Sequence, residues 1–97
     1  PSTKSVSAAA ASALKSMPAD FRVSITDADG KDAYPISGFT YLLVYKSMPK
    51  EKGASLLKFL RWAIKNGQAF AEPLHYAPLP KSMVGKVQAK IGEVNLQ

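Results

Sequence analysis

The sequence offers few residues that could carry out catalysis or hold a metal ion. His75 is the single histidine, and the chain contains no cysteine. Metal centres and catalytic triads need several such side chains together. No serine lies in a Gly-x-Ser-x-Gly turn, and no glycine-rich phosphate loop is present. The sequence therefore predicts a protein that is not an enzyme, with no catalytic residue, no metal site and no cofactor.

The stretch Asp27-Ala28-Asp29-Gly30 has part of the pattern of a calcium-binding loop. That motif also requires a glutamate six residues after its glycine, and Ile36 occupies this position. The pattern therefore indicates an ordinary turn, in which Gly30 supplies a positive φ angle.

The whole chain has a net charge of +6, and its basic residues are concentrated in one stretch. Residues 46–65 carry one acidic side chain, Glu51, beside six basic ones: Lys46, Lys50, Lys52, Lys58, Arg61 and Lys65. The last three, with Phe59 and Trp62 close by, have the composition of a nucleic-acid surface. The helical periodicity, however, places Phe59 on an apolar face, where it packs. We therefore expect a solvated basic face and no bound nucleic acid.

Two predicted helix starts have the free amide groups that favour anions, Ser47-Met48-Pro49-Lys50 and Pro80-Lys81-Ser82. We interpret both as ordinary capping sequences.

The sequence predicts three helices. The apolar and alanine spacing predicts them over residues 5–17, from residues 47–49 to about residue 65, and from residue 81 or 82 onward. Ser2 or Thr3 can cap the first helix, and Pro18 ends it. Asn66-Gly67 is typical of the end of the second helix, after which residues 68–72 can form one or two further turns.

Two strands are also predicted. Residues 21–26 alternate between apolar and polar side chains, which indicates a strand with one solvated face. Residues 39–45 are apolar on both faces, which is typical of a central strand covered on both sides. A stable sheet usually needs three or more strands, and an exposed apolar edge promotes aggregation. The predicted fold class is α/β. The strand over residues 39–45 lacks neighbouring strands, which must come from an unseen part of the chain or from a second copy.

The size of the chain is that of one small domain. No apolar run approaches the ~20 residues of a membrane span. A signal peptide has a basic segment followed by an apolar one, and the chain does not begin in this way, so we expect no signal peptide in these residues. The first residue is Pro1 and not an initiator methionine, which suggests processing or truncation.

Five short sequence motifs, in this order, resemble the C-terminal part of the periplasmic phosphate-binding proteins of the high-affinity phosphate ABC transporter. They are Asp32-Ala33-Tyr34-Pro35-Ile36, the apolar strand up to Lys46, Leu57-Lys58-Phe59-Leu60-Arg61-Trp62-Ala63, Asn66-Gly67-Gln68 and Tyr76-Ala77-Pro78-Leu79-Pro80. The resemblance implies a segment of a class II periplasmic binding-protein fold, in which two lobes clamp inorganic phosphate and deliver it to a membrane permease. Residues 1–33 would end the second lobe, and residues 34–97 would complete the first.

The resemblance also implies that no phosphate-binding residue lies in this chain, because the family's ligands come from earlier in the sequence. It further implies a periplasmic location. Two alternatives remain open. One is a freestanding interaction module that dimerises through an exposed strand edge, and the other is a basic nucleic-acid-binding module.

Overall fold

The first helix has a complete N-terminal cap. In the computed structural model, which describes residues 1–97, helix α1 spans Thr3–Ser12 and a 3₁₀ helix continues it over Ala13–Ser16. The Ser2 hydroxyl accepts a hydrogen bond from the Ser5 amide at 3.1 Å, and the Ser5 hydroxyl accepts one from the Ser2 amide at 3.0 Å. Pro18 disfavours a helical conformation for Met17, which has a ψ angle of 117°. The prediction of this helix and its cap is confirmed.

The second and third helices also form where the sequence predicts them. Helix α2 spans Lys50–Lys65 and helix α3 spans Lys81–Ile91. Asn66 caps the end of α2, and two 3₁₀ helices follow, over Gly67–Phe70 and Glu72–Leu74. The expected capping at the starts of α2 and α3 is wrong. Pro49 and Pro80 occupy the cap positions, and no side chain bonds to the free amides there.

The only sheet is a parallel pair of very short strands. Strand β1 spans Ser47–Met48 and strand β2 spans Asn95–Leu96, with Ser47 opposite Asn95 and Met48 opposite Leu96. The pair is held by backbone hydrogen bonds from the Asn95 amide to the Lys46 carbonyl at 2.8 Å and from the Gln97 amide to the Met48 carbonyl at 2.9 Å. The connection between the two strands contains α2 and α3, so the pair joins the two ends of this helical unit.

The two strands predicted from the sequence do not form in this chain. Residues 21–26 and 39–45 belong to no ladder, because no strand lies beside them to accept and donate backbone hydrogen bonds. The alternation of residues 21–26 nevertheless survives as a burial pattern. Ile25 is 2% exposed and Val23 is half-buried, whereas Arg22, Ser24 and Thr26 are exposed. The chain is α/β in content, but its strands lie elsewhere than predicted.

The core is divided into two separate clusters. One consists of Ala9, Ala10, Ala13, Ile25 and Met83, and it joins α1 to the start of α3. The other consists of Leu57, Leu60 and Ile91, where α2 packs against the end of α3. Only Val87 packs against both. In all, 10 of 97 residues are buried, so neither cluster is a full domain core.

The overall dimensions show the same deficit of packing. A compact monomer of this mass exposes ~5,400 Å², whereas the chain exposes 7210 Å². Its radius of gyration is 14.4 Å, against ~12.5 Å for a compact domain of this length. It has 50 backbone–backbone hydrogen bonds, where ~65 are typical. The chain therefore leaves more of its surface exposed than a compact domain of its size does.

Candidate functional site

Residues 39–45 form the most exposed apolar segment of the molecule. Leu42 is 69% exposed and Leu43 is 98% exposed, and Tyr41 and Tyr45 are exposed as well. No amide or carbonyl of these seven residues makes a hydrogen bond to another backbone group. The segment thus offers both apolar side chains and unpaired backbone groups to a partner, as an unprotected sheet edge does.

Three side chains attach the exposed segment to the rest of the chain. Phe39 packs against the first core cluster and Val44 against the second. Between them, the Tyr41 hydroxyl donates a hydrogen bond to the Phe21 carbonyl at 2.8 Å. Phe21 has a φ angle of 61°, in the left-handed region that bulky residues rarely adopt. The segment therefore spans the gap between the two clusters without filling it.

An open apolar groove lies between the exposed segment and helices α2 and α3. Its volume is about 500 Å³, and 17 of its 22 lining residues are hydrophobic. From the helices, the walls include Leu57, Leu60, Ile64, Met83 and Val87. Such a groove is typical of a surface that another element covers.

The charges at the groove are balanced. Its lining includes two acidic side chains, Asp20 and Glu93, and two basic ones, Lys46 and Lys90. Lys90 and Glu93 form an ion pair at 3.1 Å. No buried polar side chain lies in either core cluster. The groove therefore has the composition of a docking surface, and the charge excess of the chain lies elsewhere.

Asp20 also forms an ion pair with Arg22, in which Nε and Oδ2 are 2.7 Å apart. The hydrogen bond from the Arg22 side chain lowers the pKa of the Asp20 carboxyl below its ordinary value, and the carboxylate in turn raises the pKa of Arg22. Both side chains are well exposed, at 48% and 84% respectively. Such an exposed pair contributes little to stability, and it does not constitute a reaction centre.

A row of three exposed aromatic rings lies on α2 and the 3₁₀ helix after it. The centroids of Phe59 and Trp62 are 6.1 Å apart, and those of Trp62 and Phe70 are 6.2 Å apart. Phe59 is 58% exposed, so the prediction that it lies on the buried face is wrong. The helical periodicity predicts one wide apolar face that is buried along its whole width. Only Gly53, Leu57 and Leu60 of α2 are in fact buried. Sequence reasoning missed Phe70 because it lies beyond the helix.

The remaining candidates from the sequence do not come together. Lys58, Arg61 and Lys65 are exposed on α2 and form no ion pair. His75 is exposed, with a left-handed φ angle of 64° at the end of its 3₁₀ helix. Gly30 has the predicted positive φ, 115°. No three acidic or histidine side chains lie close enough to share a metal ion.

No helix of the structure combines the length and the apolar character that a bilayer crossing needs.

Comparison with known proteins gives a consistent set of relatives. The chain is 38% identical over 90 residues to the phosphate-binding protein PstS of Xylella fastidiosa, covering 92% of this chain and 25% of that protein. It is 33% identical over 91 residues to PstS of Pasteurella multocida, covering 93% and 26%. It is 40% identical over 75 residues to PstS of Methanocaldococcus jannaschii, covering 68% and 17%. No family model and no solved structure matches. The resemblance drawn from the sequence is confirmed, and the chain spans about a quarter of the length of these relatives.

Proposed function

We infer that this chain is a segment of a phosphate-binding protein, because 92% of it aligns with proteins of that name. We propose that it is the C-terminal segment of a solute receptor that captures inorganic phosphate in the periplasm and delivers it to the permease of an ABC transporter. In this proposal the receptor has a two-lobed, class II binding-protein fold. Residues 1–33 end the second lobe and residues 34–97 complete the first.

One observation supports a segment that completes a larger body. Residues 39–45 present apolar side chains on both faces and leave their backbone groups unpaired. The adjoining groove of about 500 Å³ is apolar and open. Covering the segment and the groove with the remaining polypeptide would satisfy both needs at once. The role of this chain is then to close a lobe, and the phosphate ligands come from the rest of the receptor.

A chimera tests this proposal. The segment of the Xylella fastidiosa PstS that aligns with this chain is replaced by residues 1–97, and phosphate binding is measured by titration calorimetry with sulfate as competitor. We expect the chimera to bind phosphate selectively, and a matched variant with the segment deleted not to bind it. A folded chimera without phosphate binding would contradict the proposed function.

The same calorimetry on the 97-residue chain alone tests the assignment of the ligands. We expect no selective phosphate binding, because the chain has no buried polar side chain around which a desolvated anion site could form. Tight, sulfate-resistant binding by the chain alone would show that the ligand residues lie within it.

A further inference from the structure

The aromatic row on α2 and the 3₁₀ helix after it remains largely uncovered. Phe59, Trp62 and Phe70 are 58%, 48% and 58% exposed, and neighbouring ring centroids lie 6.1 Å and 6.2 Å apart. Phenylalanine is among the side chains most often buried in folded proteins. An exposed apolar patch with polar residues at its rim is typical of a surface that binds a protein or a membrane. The aromatic row is therefore a candidate binding surface.

The charge excess of the chain lies beside the aromatic row. Residues 52–71 contain four basic side chains and no acidic one. Three of them, Lys58, Arg61 and Lys65, are neighbours at helical spacing, are exposed and form no ion pair. Like charges at this spacing repel one another, so an anionic partner is favoured. The aromatic row and these three cations together form the outer face of α2.

The outer face of α2 is separate from the surface that the proposed function assigns to the rest of the receptor. None of its six side chains lines the apolar groove. Trp62 lies ~160° around the helix from Leu60, which is buried in the second core cluster. Polypeptide that fills the groove would therefore leave the outer face of α2 open.

An anionic lipid bilayer matches both features of the outer face. Aromatic rings, tryptophan above all, lie favourably at the level of the lipid headgroups. Long basic side chains extend to the lipid phosphates while their carbon stems stay in contact with apolar surface. A bound helix or peptide usually lies in a groove, and the groove of this chain is lined by other residues of α2. A lipid surface, in contrast, can contact the row and its cations at the same time.

We propose that the outer face of α2 binds the surface of an anionic bilayer, with the aromatic row among the headgroups and the three cations on the lipid phosphates. The inference goes beyond the proposed function, because this face takes no part in holding inorganic phosphate. Its effect is to keep the protein at the membrane surface.

Trp62 reports such binding directly, because it is the only tryptophan of the chain. The 97-residue chain is mixed with vesicles of phosphatidylcholine and phosphatidylglycerol in equal amounts. We expect the emission of Trp62 to shift to shorter wavelengths and to be quenched by brominated acyl chains. Vesicles of phosphatidylcholine alone should bind at least ~tenfold more weakly, and polyglutamate, a soluble polyanion, should cause no shift. Unshifted emission on the anionic vesicles, or an equal shift with polyglutamate, would overturn the proposal.

Two matched pairs of variants locate the binding surface. Phe59→Ser should weaken binding to the anionic vesicles at least ~tenfold, whereas Ile36→Ser, at an equally exposed apolar site outside the face, should change it less than ~twofold. Arg61→Gln should weaken binding ~fivefold, and Lys86→Gln, at an exposed site on α3, less than ~twofold. Circular dichroism verifies that the helices remain intact. Equal effects within either pair would also overturn the proposal.

The phosphate-binding chimera separates this inference from the proposed function. Phe59→Ser in the chimera should weaken its co-sedimentation with anionic vesicles and leave its phosphate binding unchanged. If the rest of the receptor covers the outer face, the substitution has no effect on co-sedimentation, and the inference is wrong. A chimera that binds vesicles through this face but does not bind phosphate would support the inference and contradict the proposed function alone.

Discussion

Replacing Gly53 by alanine tests the contact between helix α2 and the two-stranded sheet. Gly53 lies in the first turns of α2, directly against β1 and β2. A methyl group built there would overlap the Leu96 side chain and lie 3.0 Å from the Met48 Cβ. Gly85, in the middle of α3, has open space around the same position. The two glycines therefore form a matched pair, in which only one substitution creates a clash.

Two opposing effects set how much each substitution changes the free energy of unfolding. Alanine stabilises a helix interior by ~1 kcal/mol relative to glycine, and overpacking costs ~1–3 kcal/mol. Gly85→Ala should therefore raise the free energy of unfolding by ~1 kcal/mol, because only the first term applies to it. Gly53→Ala should lower it by up to ~2 kcal/mol, because the overpacking exceeds the helix term. Each kcal/mol corresponds to ~4–8 °C in the melting temperature of a domain of this size.

Thermal unfolding followed by circular dichroism at 222 nm measures both variants. A third variant, Leu96→Ala, removes the side chain that the new methyl group would meet. In the Leu96→Ala background, Gly53→Ala should destabilise the chain much less than it does in the wild type, because the effects of two residues in contact are coupled. If Gly53→Ala stabilised the wild-type chain as much as Gly85→Ala does, the packing of β2 on α2 would be refuted.

Two further predictions concern the second core cluster and the Asp20–Arg22 pair. Leu57 is 3% exposed between α2 and α3, so Leu57→Ala should lower the free energy of unfolding, measured in urea, by ~2–5 kcal/mol. Leu74→Ala, at an exposed site, should change it by no more than ~0.5 kcal/mol. Equal effects of the two substitutions would contradict the burial of Leu57 between the helices. The pKa of Asp20 is lowered by Arg22, so the pair stabilises the chain above the unfolded pKa, near 3.8, and that contribution is lost as the pH falls through the folded pKa. Arg22→Gln should raise the Asp20 pKa in an NMR titration, Lys31→Gln should leave it lowered, and an unchanged value in Arg22→Gln would disprove the pairing.

The helices were predictable because their signals are local. Ser2 and Ser5 bond to each other three residues apart, and Pro18 constrains the residue directly before it. The end of α2 at Lys65 likewise follows from its own neighbours. The apolar character of residues 39–45 is also a property of the sequence alone, and it correctly indicated a segment that lacks partners within this chain.

The exposed surfaces could not be read in the same way. A helical wheel shows which side chains share a face, but burial depends on which element covers that face. Phe59 is therefore exposed beside Trp62, although its type suggests the core. The groove itself is defined by three elements that meet only in the folded chain.

The sequence by itself determined where the helices form and which residues need a partner, since both depend on neighbouring side chains and on composition. Only the tertiary structure decided that Ser47 pairs with Asn95, that Gly53 lies against Leu96 and Met48, and that residues 39–45 stay unpaired. Strand pairing joins residues that are distant in sequence, and two-residue strands have no periodicity of their own. Whether an apolar segment becomes a strand depends on the chain that lies beside it, and here that place is open.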